Sequence, residues 1–139
     1  MTELLLDAGV WVASADVEDE NHAAAARLVE SAARGDAELA ALDLTLYEVA
    51  NVAVVKWRSA TGAAEIVRLV RVACGEALQR VDEELAREAS IFALEHGITA
   101  YDAAYVVAAR RRGAQLVSGD LADLVRPGFA VTPEQAAGV

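Results

Sequence analysis

The sequence predicts an α/β fold: a three-layer α/β/α sandwich around a mainly parallel central sheet. Three observations predict it. Short apolar runs of strand length alternate with longer stretches of helical period. The runs are continuously apolar, as in strands buried on both faces, not alternating. Strands that alternate with helices also imply right-handed crossovers, which make neighbouring strands parallel. With 139 residues, the chain is expected to form one domain over 1–139.

Taken in order, residues 4–7 form a short apolar run ending in an acid, the mark of a first buried strand. Residues 9–13 start a helix, and the acidic stretch 16–21 reads as a loop. A helix follows over 22–33, with Leu28 and Val29 inward and Arg34-Gly35 as its stop. A second strand is expected at 38–42. Residues 45–58 and 61–74 make two apolar helices separated by Ser-Ala-Thr-Gly, and a third strand is placed at 78–81. In 83–96, Leu85, Ala89, Phe92, Ala93 and His96 recur at helical spacing, with Glu84, Arg87, Glu88 and Glu95 opposite. Gly97 ends that helix, and another runs over 99–112 to Gly113. Residues 114–118 repeat the pattern of the first strand, and 129–132 are expected to add an edge strand.

Composition narrows the function. Hydrophobic residues make up 55% and charged residues 24%, which suits a folded chain and not a disordered linker. No apolar stretch approaches a membrane span, and Glu3 and Asp7 bracket the first apolar run, unlike a signal peptide. A lone cysteine, Cys74, offers neither an internal disulfide nor a thiol cluster, so a reducing, cytoplasmic setting is expected. The net charge is −10, of which −9 lies in residues 1–50. Nucleic-acid affinity normally comes from Lys and Arg, so any such role here must rest on local basic patches or bound cations.

Four acids then stand out. Asp7 follows the first strand and Asp120 lies just past the strand at 114–118, while Glu48 and Asp102 sit in the first turns of helices. In a parallel α/β sheet all four project from the carboxyl rim, where ligands collect. A hard divalent cation takes such oxygen ligands, and without one the clustered acids repel and hold protons. Each acid alone has a plainer explanation. Thr45-Leu-Tyr-Glu48 and Thr99-Ala-Tyr-Asp102 fit capping boxes, and Asp7 and Asp120 fit helix caps. Capping does not explain why all four fall at one edge.

The sequence resembles the PIN-domain nucleases, and among them the VapC-type toxins of bacterial toxin–antitoxin pairs. LLLDAGVWVAS resembles the opening strand and first acid, and LTLYEVANVAVVKW the helix of the second. ITAYDAAYVVAAR is similar to the third-acid segment and AQLVSGDLADL to the fourth. The resemblance implies an acidic quartet of Asp7, Glu48, Asp102 and Asp120, with Ser118 as an accompanying hydroxyl. Asp123 is a possible accessory acid that reads more simply as a solvated helix charge. The resemblance further implies Mg²⁺- or Mn²⁺-dependent cleavage of RNA, restraint by a cognate VapB-like antitoxin, and a homodimer. One departure is Gly9, where many relatives carry Ser, Asn or Thr two residues after the first acid.

Other features are secondary. Lys56, Arg58, Arg68 and Arg71 are candidates to line an RNA path beside Trp57, or else complement helix ends and core. Arg110-Arg111-Arg112 reads as dipole complementation, and His22 and His96 as structural. The two apolar helices at 45–58 and 61–74 carry more hydrophobic surface than one sheet face needs, which marks a partner interface. Two alternatives to the nuclease are a catalytically silent PIN-like protein-binding domain and a phosphate-receiving receiver domain. The second would want adjacent acids after the first strand and a late Lys, and the only Lys is Lys56.

Overall fold

The computed structural model describes residues 1–138. Four parallel strands, β1 (Glu3–Leu6), β2 (Glu38–Leu42), β3 (Leu78–Gln79) and β4 (Gln115–Val117), form one sheet in the order β3-β2-β1-β4. Leu5 pairs with Ala40 on one side and with Leu116 on the other. The strand order reverses between β1 and β4, so a crevice opens at their carboxyl ends.

Among the described residues, seven α-helices surround the sheet: α1 (Ala8–Ala15), α2 (His22–Ala33), α3 (Asp43–Val52), α4 (Ala60–Cys74), α5 (Glu83–His96), α6 (Ala100–Arg112) and α7 (Pro133–Ala137). The period-two alternation of the strands divides them into two layers. Leu5, Ala40, Leu42 and Leu116 face α5 and α6. Leu6, Leu39, Ala41 and Val117 face α1, α2 and α4. The three-layer sandwich expected from the sequence is therefore present, with every strand parallel. Burying a leucine such as Leu5, which has no exposed surface, stabilises the fold by roughly 2 kcal/mol.

Several boundaries differ from the sequence reading, each for a local reason. Asp7 is not strand: it caps α1, its side chain accepting the Val10 N–H at 3.1 Å. The helix α3 begins at Asp43, so Thr45 lies inside its first turn, and the chain continues as a π-helical turn over Ala53–Trp57. That turn ends at Arg58 in the left-handed region, with φ 53°, after which Ser59 caps α4. The third strand is only two residues long. Residues 129–132 form no strand; Val131 makes a single parallel bridge to Val117, because Thr132-Pro133 turns at once into α7. The terminal helix was not expected, although its Thr132–Gln135 capping box and first-turn proline are ordinary start signals. His96 is exposed and not inward; its ring stacks on Phe92 at 4.1 Å and meets Phe129 edge-on at 5.1 Å.

The helix α6 positions the site. Its residues Ala103 to Ala109 are all buried, so it is enclosed on every side. It ends just before β4 starts, which places its first turn over the carboxyl rim.

Candidate metal centre

Asp7 leaves β1 and caps α1 at the reversal of the strand order. Asp120 leaves β4 and caps the π-helical turn Leu121–Val125, accepting the Asp123 N–H at 3.0 Å. Asp102 enters from the first turn of α6, where its backbone N–H donates to Thr99 Oγ1 at 3.1 Å. Glu48 comes from α3, after β2. Helix capping and pocket formation are thus not alternatives. A carboxylate that spends one oxygen on a cap keeps the other for the pocket.

Oxygens of Asp102, Asp120 and Asp123 lie within 4.8 Å of one another. Asp123, read from the sequence as a solvated charge, therefore belongs to the acid cluster; its spacing of three residues from Asp120 was the available signal. Asp7 and Glu48 lie outside that trio, but Asp102 acts electrostatically on both. Among the described residues, none of these five acids is ion-paired with Lys or Arg; the ion pairs present engage Glu3, Asp16, Asp36, Glu84 and Glu88 instead.

The electrostatic cost of that arrangement is visible. Burial pushes the Asp7 carboxyl from 3.8 up to about 6, and the charges of Asp102 and Glu48 add to it, while the Ser118 hydroxyl and Val10 N–H restrain it. Burial also raises Glu48, against the hydrogen bond from Tyr105. Asp102 is raised first by burial and then by Asp120 and Asp123. Ser118 has no exposed surface, and its Oγ accepts the Asp120 N–H at 3.0 Å. It thus links the segments after β1 and β4. Gly119 lies close to the Asn21 side chain: a Cβ there would stand 2.9 Å from Asn21 Nδ2, so Asn21 would have to shift.

A set of hard oxygen donors, part-buried and lacking a counter-cation, fits a divalent ion such as Mg²⁺ or Mn²⁺. A groove of about 450 Å³ leads from Glu48 past Gly9, Asp19 and Asn51 to Lys56. Asn51, one turn beyond Glu48 on α3, was not singled out from the sequence. Lys56 reaches the groove but pairs with Asp16 at 3.4 Å. Arg58 lies in a separate shallow depression with Val54 and Val55. Arg68 and Arg71 are exposed on α4 and do not line the groove; the end of that helix, at Cys74, lies near Glu3 at the opposite edge of the sheet.

The fold and this acidic rim define a class: an α/β domain whose parallel sheet gathers carboxylates at its carboxyl rim. The sequence matches the PIN domain family over residues 4–128, and the chain belongs to that family. Its fold is similar to that of PAE2754 from Pyrobaculum aerophilum, with 27% identity, TM-score 0.68, and coverage of 99% of this chain and 95% of that one. It is also similar to VapC20 of Mycobacterium tuberculosis, a sarcin-ricin loop cleaving toxin, with 21% identity, TM-score 0.69, and coverage of 91% and 96%. A toxin–antitoxin complex from Klebsiella pneumoniae matches at 15% identity and TM-score 0.66, covering 94% and 97%. No curated protein matches the sequence.

Proposed function

We propose that the protein is a Mg²⁺- or Mn²⁺-dependent endoribonuclease, the toxin component of a type II toxin–antitoxin pair. The observation that carries this reading is the cluster of Asp102, Asp120 and Asp123, with Asp7 and Glu48 within electrostatic reach of Asp102 and, among the described residues, no basic partner on any of the five. Membership of the PIN family and likeness to VapC20 and to toxin–antitoxin complexes supply the biological context. Asp102, Asp120 and Asp123 would hold the ion, with Asp7 and Glu48 completing the pocket and Ser118 orienting Asp7. When bound, the ion supplies an activated water and charge stabilisation for phosphodiester hydrolysis. The groove toward Lys56 gives RNA an approach, and the site's own cation reverses the local sign of a chain with net charge −10. Arg58, Arg68 and Arg71, which do not line the groove, would act on distant parts of the substrate. Exposed Tyr47, Val54, Val55 and Val72 on α3, the π-helical turn and α4 offer apolar surface for a VapB-like antitoxin or a second copy. No described helix is long and apolar enough to cross a membrane.

Replacing Asp7 or Asp102 by Asn should reduce metal-dependent RNA cleavage at least a hundred-fold while leaving the circular dichroism spectrum unchanged. Cleavage at the parent rate by either variant would refute the nuclease. One observation favours a second reading, a silent PIN-like protein-binding domain: Gly9 brings no hydroxyl beside Asp7. That domain would show no stabilisation by Mn²⁺.

A further inference from the structure

Two buried hydroxyl side chains outside the acid set lead in series to Glu48. Thr45 has no exposed surface and Tyr105 has 2%. The Leu42 N–H donates to Thr45 Oγ1 at 3.2 Å, Thr45 Oγ1 lies 2.7 Å from Tyr105 Oη, and the Tyr105 hydroxyl donates to Glu48 Oε1 at 2.6 Å. Each hydroxyl has one proton to give. Tyr105 gives its own to Glu48, so its oxygen accepts from Thr45. Thr45 in turn takes the backbone N–H on a lone pair. The ladder therefore runs in one direction, from the end of β2 through α3 and α6, with every member satisfied.

We infer that Thr45 and Tyr105 are positioning residues that anchor Glu48 through Oε1 and so fix the orientation in which its carboxylate meets a cation. This rests on the divalent-cation reading above. Packing alone does not account for the pair. Phe at 105 or Val at 45 would fill similar space, and hydroxyls are costly in an apolar interior unless hydrogen-bonded. What the hydroxyls add is a fixed acceptor geometry for one acid of the pocket, drawn from two elements that the chain brings together from 60 residues apart.

The test is direct binding of Mn²⁺ to the full chain, followed by the paramagnetic resonance signal of the free ion, with melting temperatures measured without metal. Tyr105→Phe should weaken Mn²⁺ binding about ten-fold, the usual effect of removing a partner that orients a ligand. Thr45→Val should give a smaller loss, and Thr45→Ser should bind like the parent because the ladder survives. Folded Tyr105→Phe that binds Mn²⁺ as tightly as the parent overturns the positioning role while leaving the metal site standing. If Tyr105→Phe does not fold, the Thr45→Val and Thr45→Ser pair makes the same comparison; equal binding by both overturns the role. A parent chain that binds no Mn²⁺ overturns the metal reading and this inference with it.

Discussion

At the residue scale, Asp7 carries a penalty that can be measured. Its folded value of about 6 stands above the ordinary 3.8, so the native state holds this proton more tightly than the unfolded chain does. The stability it contributes is present below about pH 3.8 and lost as pH rises through about 6. At roughly 1.4 kcal/mol per pKa unit, the cost approaches 3 kcal/mol at neutral pH. Metal-free Asp7→Asn, which keeps a capping oxygen, should melt several degrees above the parent near pH 7 and match it near pH 4. A constant difference across that range would mean the carboxyl is not titrating as described. Gly9 makes a second case. A Cβ there would lie 3.5 Å from Asp7 Oδ1, an ordinary contact, so nothing steric demands glycine. Gly9→Ala should stabilise α1 by about 0.5–1 kcal/mol, read as a rise in melting temperature. Gly9→Ser should tighten Mn²⁺ binding by placing a hydroxyl beside Asp7; binding no tighter than that of Gly9→Ala would deny the hydroxyl any part.

Among the elements, the end of α6 is held by more than its dipole. The Arg110-Arg111-Arg112 run resembles simple charge complementation in the sequence, yet each side chain has its own task. Arg110 lies over the Phe92 and Phe129 rings, and Arg111 bridges to Glu84 and Glu88 on α5. Arg112 grips Glu3 with two bonds of 2.7 and 2.9 Å and adds Gln79, joining α6 to the starts of β1 and to β3. Both Arg112 and Glu3 are about three-quarters covered, so the pair escapes much of the screening that weakens surface ion pairs. Arg112→Ala should cost about 1–2 kcal/mol in denaturant unfolding and leave Mn²⁺ affinity unchanged, because the pair sits at the opposite edge of the sheet from the acids. A loss of Mn²⁺ affinity with unchanged stability would reverse that assignment.

For the whole molecule, a net charge of −10 means that any cation relieves some self-repulsion, so binding at the site must be separated from screening. Mn²⁺ at a hundred times its dissociation constant should stabilise the parent by about 2.7 kcal/mol, and each further tenfold rise in concentration should add about 1.4 kcal/mol. It should persist in about 150 mM NaCl, which screens beyond about 8 Å, and be lost in Asp102→Asn. An equal shift in the variant would identify general screening. The sequence by itself determined the three-layer arrangement and the four parallel strands, because buried parallel strands must be continuously apolar; it proposed four acids for one rim, and it added an edge strand at 129–132 that does not form. It also contained the signals for α7 and for Asp123, though spacing alone could not distinguish a solvated charge from a shared pocket. Only the tertiary structure decided that Asp123 joins Asp102 and Asp120, that Thr45 serves Tyr105 instead of capping with Glu48, and that Arg68 and Arg71 lie off the groove. The physical reason is that helical period gives a residue its face, whereas its partners depend on how separate elements are rotated and docked against one another, which no local pattern encodes.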